Sequence, residues 1–151
     1  MNIKAMIGHC YSVKHGSEAY DNAVQLRYEV LRKPQGLSFS DAELEAEADS
    51  GHLVCELGGK IAGCLVLAPW QQDGVKLRQM AVAPEYRGCT IGSQLVQAAE
   101  KWAGEHGCSK IVLHARTSAE GFYKKLGFSA SGEVFMEVGL PHRVMRKALN
   151  G

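Results

Sequence analysis

The sequence predicts an α/β domain of the mixed α+β kind, a central and mostly antiparallel sheet flanked by helices, with elements in the order β-α-β-β-β-α-β-α-β-β. Three observations predict it. Two apolar runs, 52–57 and 60–68, flank Gly58-Gly59, the two-residue signal of a β-hairpin whose turn needs positive φ at both central positions. Farther along, a helical apolar face from Ile91 to His106 lies between two strand-like runs, the pattern of a strand-helix-strand unit with parallel strands. The chain has 151 residues, 46% of them hydrophobic and 22% charged, which is the length and balance of one soluble domain that can build a core without disulfides or a structural metal. No 20- to 50-residue period and no Pro- or Ser/Gly-rich linker divides it, so residues 1–151 are expected to form a single domain.

In chain order, a weak opening strand is expected near Ile3–Ile7. From Ser17 to Leu31, Ala23, Leu26, Val30 and Leu31 recur at helical spacing until Pro34 and Gly36 stop the run. The acidic stretch Asp41–Asp49 has five carboxylates in nine residues; it reads as a solvated face or loop, with a wall attracting a cationic acceptor as the sharper alternative. After the hairpin, Val75–Val82 reads as a third strand, ended by Pro84. In the long helix, Ile91, Leu95, Val96, Ala99, Trp102 and Ala103 share one face, and Gly104 and Gly107 weaken and end it. Residues 110–115 read as a short buried strand, 118–128 as a short helix closed by Gly127, and Glu133–Val138 and Arg143–Leu149 as two final strands.

Charge narrows the function classes. Seventeen Lys and Arg balance sixteen Asp and Glu for a net +1, which offers little attraction to nucleic-acid phosphates or anionic lipid, so neither is an expected partner. The five cysteines are odd in number, scattered and never spaced CxxC, which argues against a disulfide framework and a zinc ribbon and fits a reducing compartment. His9-Cys10 and the His106/Cys108 pair lack a second half for tetrahedral ligation, so no metal is expected. No apolar run is long enough for a signal peptide or membrane span, and the expected location is cytoplasmic.

The most informative stretch is 79–96, where a strand ends, a turn carries Arg87, Gly88 and Gly92, and a helix begins. Main-chain N–H groups freed at a helix start, with the positive end of the macrodipole, can hold a pyrophosphate. Neither GxxxxGK[ST] nor GxGxxG is present. Arg87-Gly88-Cys89-Thr90-Ile91-Gly92 instead resembles motif A of the GNAT superfamily of N-acetyltransferases, Gln/Arg-x-x-Gly-x-Gly/Ala, with Thr90 in place of its central glycine. A threonine hydroxyl there could cap the helix or touch a phosphate. Residues 118–128 resemble motif B through Phe122, Tyr123, Leu126, Gly127 and Phe128, with Arg116 where many members carry Asn. The segments 30–38, 51–57 and 133–147 extend the resemblance to the ElaA/YjcF-like branch of small bacterial acetyltransferases.

The resemblance implies a GNAT-like three-layer fold and acetyl-CoA (coenzyme A) as co-substrate. It implies a coenzyme cradle at Arg87, Gly88, Cys89, Thr90, Ile91, Gly92 and Ser93, with Phe122 and Tyr123 beside it. Main-chain groups of Met80, Ala81 and Val82 would meet the pantetheine and thioester at a bulge that splays the strand from residues 110–115, the Val82 amide donating to the oxyanion. Tyr123, protonated at neutral pH, is the expected general acid. For the general base the candidates are His114, Glu137 and His142, and for each histidine a satisfied core or surface imidazole is the blander alternative. Cys89 in the cradle has no Cys-His signature beside it and reads as packing. The expected acceptor is a small-molecule amine or peptide amine, and the unpaired edges of a mixed sheet leave room for a homodimer. Two alternatives stay open: an acyl-CoA-binding or sensing module without turnover, and a domain for another pyrophosphate ligand.

Overall fold

The computed structural model describes residues 7–149. Its strands are β1 (His9–Ser12), β2 (Gly51–Leu57), β3 (Lys60–Trp70), β4 (Gly74–Val82), β5 (Lys110–Arg116), β6 (Ser129–Glu137) and β7 (Leu140–Ala148). Its helices are α1 (Glu18–Arg27), α2 (Asp41–Glu45), α3 (Ile91–Glu105) and α4 (Glu120–Lys125). One seven-stranded sheet runs β1-β2-β3-β4-β5-β7-β6. Every neighbouring pair is antiparallel except β4–β5. The expected mixed sheet is present, and the expected element order holds with one short helix, α2, added between α1 and β2. The opening strand expected at Ile3–Ile7 lies outside the described residues apart from Ile7, which is in no strand; the first described strand is β1.

Strand alternation splits the core into two layers. Leu53, Cys55, Leu65, Leu67, Ile111 and Leu113 face α3 and α4, where Ile91, Leu95, Val96, Ala99 and Ala103 are fully buried. On the opposite face Val54, Cys64, Ala81 and Ala83 meet Ala23 and Leu26 of α1. The hairpin turn has φ of +59° at Gly58 and +80° at Gly59, as the dipeptide requires. Glycine also sets how closely α3 approaches the sheet: a Cβ on Gly63 of β3 would lie 2.8 Å from Leu95 Cδ1 and 3.0 Å from Ile91 Cγ2. Gly63→Ala is therefore expected to destabilise the protein by about 1–3 kcal/mol through overpacking, measured by urea unfolding; an unchanged midpoint would mean that α3 lifts freely.

The segment after α1 departs from the expected single helix. Ser17 caps α1, its Oγ accepting from Tyr20 N–H at 3.2 Å, but beyond Arg27 the backbone widens into a π turn (Tyr28–Arg32) and tightens into a 3₁₀ turn (Lys33–Gln35), with Pro34 inside it and Gly36 at φ +69° ending it. The acidic run is partly helical: Ser40 and Glu43 form a capping box at the start of α2. Two of its carboxylates are already committed, Glu43 to Arg32 at 3.0 Å and Glu47 to the buried Arg27 at 2.6 Å, while Asp41, Glu45 and Asp49 are exposed. All five cysteines are free thiols.

Candidate active site

The parallel β4–β5 pairing lasts three residue pairs, Gly74–Lys110, Val75–Ile111 and Lys76–Val112. Beyond them β4 stays on β3 while β5 stays on β7, and the two strands part. The cause lies in β4. Cys64 faces Ala81 and Val66 faces Arg78, so Gln79 and Met80 together oppose Leu65. This is a β-bulge, with Gln79 at φ +56°, and bulges bend and twist the strand that carries them. The bulge expected near Met80–Val82 is thus centred on Gln79–Met80. Hydrogen-bonded and non-hydrogen-bonded pairs alternate in an antiparallel ladder. Because Ala83 N–H donates to Ala62 O at 2.8 Å, the next pair, Gly63–Val82, is non-hydrogen-bonded, and the Val82 N–H turns from β3 toward the gap. Ala81, one residue back, has its N–H on the β3 side and is 2% exposed.

The gap opens into a cleft of about 520 Å³ whose walls include Met80, His114, Arg116, Tyr123, Glu137 and His142. Tyr123 projects from α4 with its ring edge-on to Phe122 and Phe128, at centroid distances of 4.9 and 5.7 Å. Burial pushes its phenol up to about 12, so it is neutral at every physiological pH. Phe122 packs under α3: a Cβ on Gly92 would stand 3.2 Å from its Cζ.

His114 and Glu137 do meet. His114 Nδ1 is 3.0 Å from Glu137 Oε1, and a carboxylate only accepts, so Nδ1 carries the proton and Nε2 of the neutral ring keeps its lone pair. His142 Nδ1 donates to Leu140 O at 2.8 Å, while its Nε2 lies 3.7 Å from Glu137 Oε2. Burial works against the charge on Glu137, but the His114 hydrogen bond and the nearby His114, His142 and Lys76 charges outweigh it and hold the carboxyl below its ordinary value. Phe135 stands edge-on to His114 at 5.0 Å and stacks toward His142 at 6.1 Å, fixing both rings. Sequence reading missed Phe135. Its signal was the two-residue alternation of β6, which puts Phe135 and Glu137 on one face, with His142 directly across from Phe135.

On the other face, the cradle residues form a turn from Pro84 into α3. Arg87 N–H donates to Pro84 O and Cys89 N–H to Tyr86 O, both at 3.2 Å. The first helical bond of α3 is Gln94 N–H to Thr90 O at 2.9 Å. The main-chain N–H groups of Gly88, Thr90, Ile91, Gly92 and Ser93 have no main-chain acceptor among the described residues. Gly88 sits at φ +83°. Thr90 does not cap the helix; its Oγ1 accepts from Gln94 Nε2 at 2.8 Å, while Gln94 Oε1 accepts from Gly8 N–H at 2.9 Å. Cys89 packs against the α3-side core. Arg87 is exposed, as is Arg116 at the end of β5. No cluster of three or more His, Cys, Asp or Glu among the described residues is arranged to hold a metal, and no helix there is long and apolar enough to cross a membrane.

A mixed sheet split between its one parallel pair, with unbonded N–H donors at a helix start, is the framework of an acetyltransferase. Residues 18–128 match the family model "Acetyltransferase (GNAT) family", and the chain belongs to that family. It is similar to the uncharacterised N-acetyltransferase YjcF of Bacillus subtilis, 33% identical over 138 residues that cover 89% of this chain and 96% of the relative. Among solved structures it resembles an acyl-CoA N-acyltransferase from Pseudomonas aeruginosa, with a TM-score of 0.79, 25% identity and coverage of 93% of this chain and 99% of the other. A GNAT family acetyltransferase from Elizabethkingia anophelis, with acetyl-CoA bound, shares the fold at a TM-score of 0.70 and 20% identity, over 94% and 98% of the two chains.

Proposed function

We propose that this acetyltransferase moves an acetyl group from acetyl-CoA to a primary amine by direct attack in the β4–β5 cleft. The observation that carries the reading is the His114–Glu137 hydrogen bond at 3.0 Å on the cleft wall, which leaves an imidazole nitrogen free to take a proton. A module that only binds acyl-CoA would have no use for an oriented base.

The residues present fit the coenzyme. The N–H groups of Gly88 and of Thr90 through Ser93, with Arg87 beside them, would hold the pyrophosphate, and the β4–β5 gap would admit the pantetheine past Met80. His114 Nε2 takes the proton from the amine as the new C–N bond forms. The Val82 N–H donates to the carbonyl oxygen as it gains charge. When the C–S bond breaks, the Tyr123 hydroxyl donates a hydrogen bond to the sulfur. A phenol pushed up to about 12 is a weaker acid than a thiol of about 8.5, so Tyr123 stabilises the departing thiolate, and solvent supplies the proton it finally takes.

Purified protein should release free thiol from acetyl-CoA only when a suitable amine is present. Tyr123→Phe should lower kcat about tenfold to a hundredfold, the worth of one hydrogen bond to a charged group, with the calorimetric Kd for acetyl-CoA unchanged. Unchanged turnover would remove Tyr123 from the reaction; binding without thiol release for any amine would favour the non-catalytic module.

A further inference from the structure

The acceptor face of the cleft is unusually cationic. Parallel register puts Lys76 opposite Val112, so Lys76 and Arg78 of β4 share a sheet face with His114 and Arg116 of β5. All four line the cleft, with Arg32 from the turn after α1. Glu137 is the one carboxylate among the described lining residues, and it is engaged by the two histidines. Arg32 is neutralised by Glu43 at 3.0 Å. Lys76, Arg78 and Arg116 have no carboxylate within ion-pair distance among the described residues. Burial, and after it the charge of Arg78, holds the Lys76 ammonium below its ordinary value against the pull of Glu137. The α3 cradle lies on the opposite sheet face, so these cations are set apart from the pyrophosphate donors.

We propose that the acceptor is an amine that also bears an anionic group, a carboxylate or phosphate, held by Lys76, Arg78 and Arg116 while its amine meets His114. The inference rests on the acetyl-transfer reading above. Arg116 and His114 are two residues apart on β5, about 7 Å along the strand, a span that suits a short molecule with its amine and anion close together. An anion there relieves the repulsion among like charges, whereas a polyamine would add to it. The charge preference is opposite to that of the acidic run, two of whose five carboxylates, Glu43 and Glu47, are spent on arginines.

Thiol release at saturating acetyl-CoA should be measured with an α-amino acid, its α-carboxamide, phosphoethanolamine and spermidine. The amino acid or phosphoethanolamine should exceed the carboxamide and spermidine in kcat/KM by about tenfold or more, the worth of a charged hydrogen bond; the better of the two anionic acceptors identifies carboxylate or phosphate. Arg78→Gln and Arg116→Gln should each raise KM for that acceptor several-fold and leave KM for acetyl-CoA unchanged. A preference for spermidine or the carboxamide would overturn the inference while leaving acetyl transfer intact, as would arginine variants that raise only the KM for acetyl-CoA. Thiol release with no amine at all would overturn both readings.

Discussion

His114→Gln is expected to lower kcat by about a hundredfold to ten-thousandfold, the range of a lost general base, with acetyl-CoA affinity unchanged. The expectation follows from how the nitrogens around Glu137 are used. His114 spends Nδ1 on Glu137 Oε1 and keeps Nε2 for a substrate. His142 spends Nδ1 on Leu140 O, its Nε2 lies 3.7 Å from Glu137 Oε2, and its side chain is 7% exposed against 26% for His114, so it is the less accessible of the two to a substrate. His142 is a positioning residue, and His142→Gln should cost about tenfold or less, at the scale of one neutral hydrogen bond. Glu137→Gln should fall between them: the side chain can still accept from Nδ1, but the charge that favours an imidazolium is gone. The Glu137 carboxyl is held below its ordinary value, so this support stays ionised at neutral and mildly acidic pH. A His142 variant more damaged than the His114 variant would exchange their roles.

Much of this frame was legible in the sequence because the signals were local. Gly58-Gly59 announced a turn that needs two positive φ angles, the face of α3 announced its own burial, and the residues from Arg87 to Gly92 lie in one contiguous turn. What was not legible depends on register across strands. Gln79 at positive φ is explained only when it and Met80 are seen opposite Leu65. His114 and Glu137 lie on strands that flank a third, β7, which brings His142 opposite Phe135 and Arg116; in the sequence they were separate candidates for one role. The cationic face likewise emerges only once Lys76 is paired with Val112. The acidic run is solvated as its composition implies, but composition does not report partners: Arg27 and Arg32, which capture two of its carboxylates, come from the preceding helical segment, and Phe39 lies beneath both guanidiniums at 4.7 and 4.0 Å.

The largest expected stability effect belongs to that capture. Arg27 is 2% exposed and grips Glu47 through two bonds of 2.6 and 3.0 Å, with the Tyr20 hydroxyl donating to the same carboxylate at 2.6 Å. His52 Nε2 donates to Glu47 O at 2.9 Å, tying the segment after α2 to β2. Arg27→Met should destabilise by about 3–5 kcal/mol, because it leaves the Glu47 charge buried without its partner, while Arg27→Met with Glu47→Leu should recover much of the loss. The pH dependence tests the cause. Burial opposes ionisation of Glu47, but the Arg27 and Tyr20 hydrogen bonds and the Arg27 and His52 charges outweigh it and hold its carboxyl low. Its stabilisation is therefore present above the unfolded value of about 4.3 and lost as pH falls through the lower folded value. Burial, ahead of the charges of His15 and Arg27, holds His52 below its ordinary value against the pull of Glu47, so its contribution is present above about 6.5 and fades as pH falls. In the Arg27→Met protein, protonating Glu47 removes the unpaired charge, so the gap from wild type in urea unfolding should narrow as pH drops from about 7 toward 4. A gap that stays constant over that range would mean that the lost packing of the Arg27 guanidinium on Phe39, and not the unpaired Glu47 charge, carries the effect.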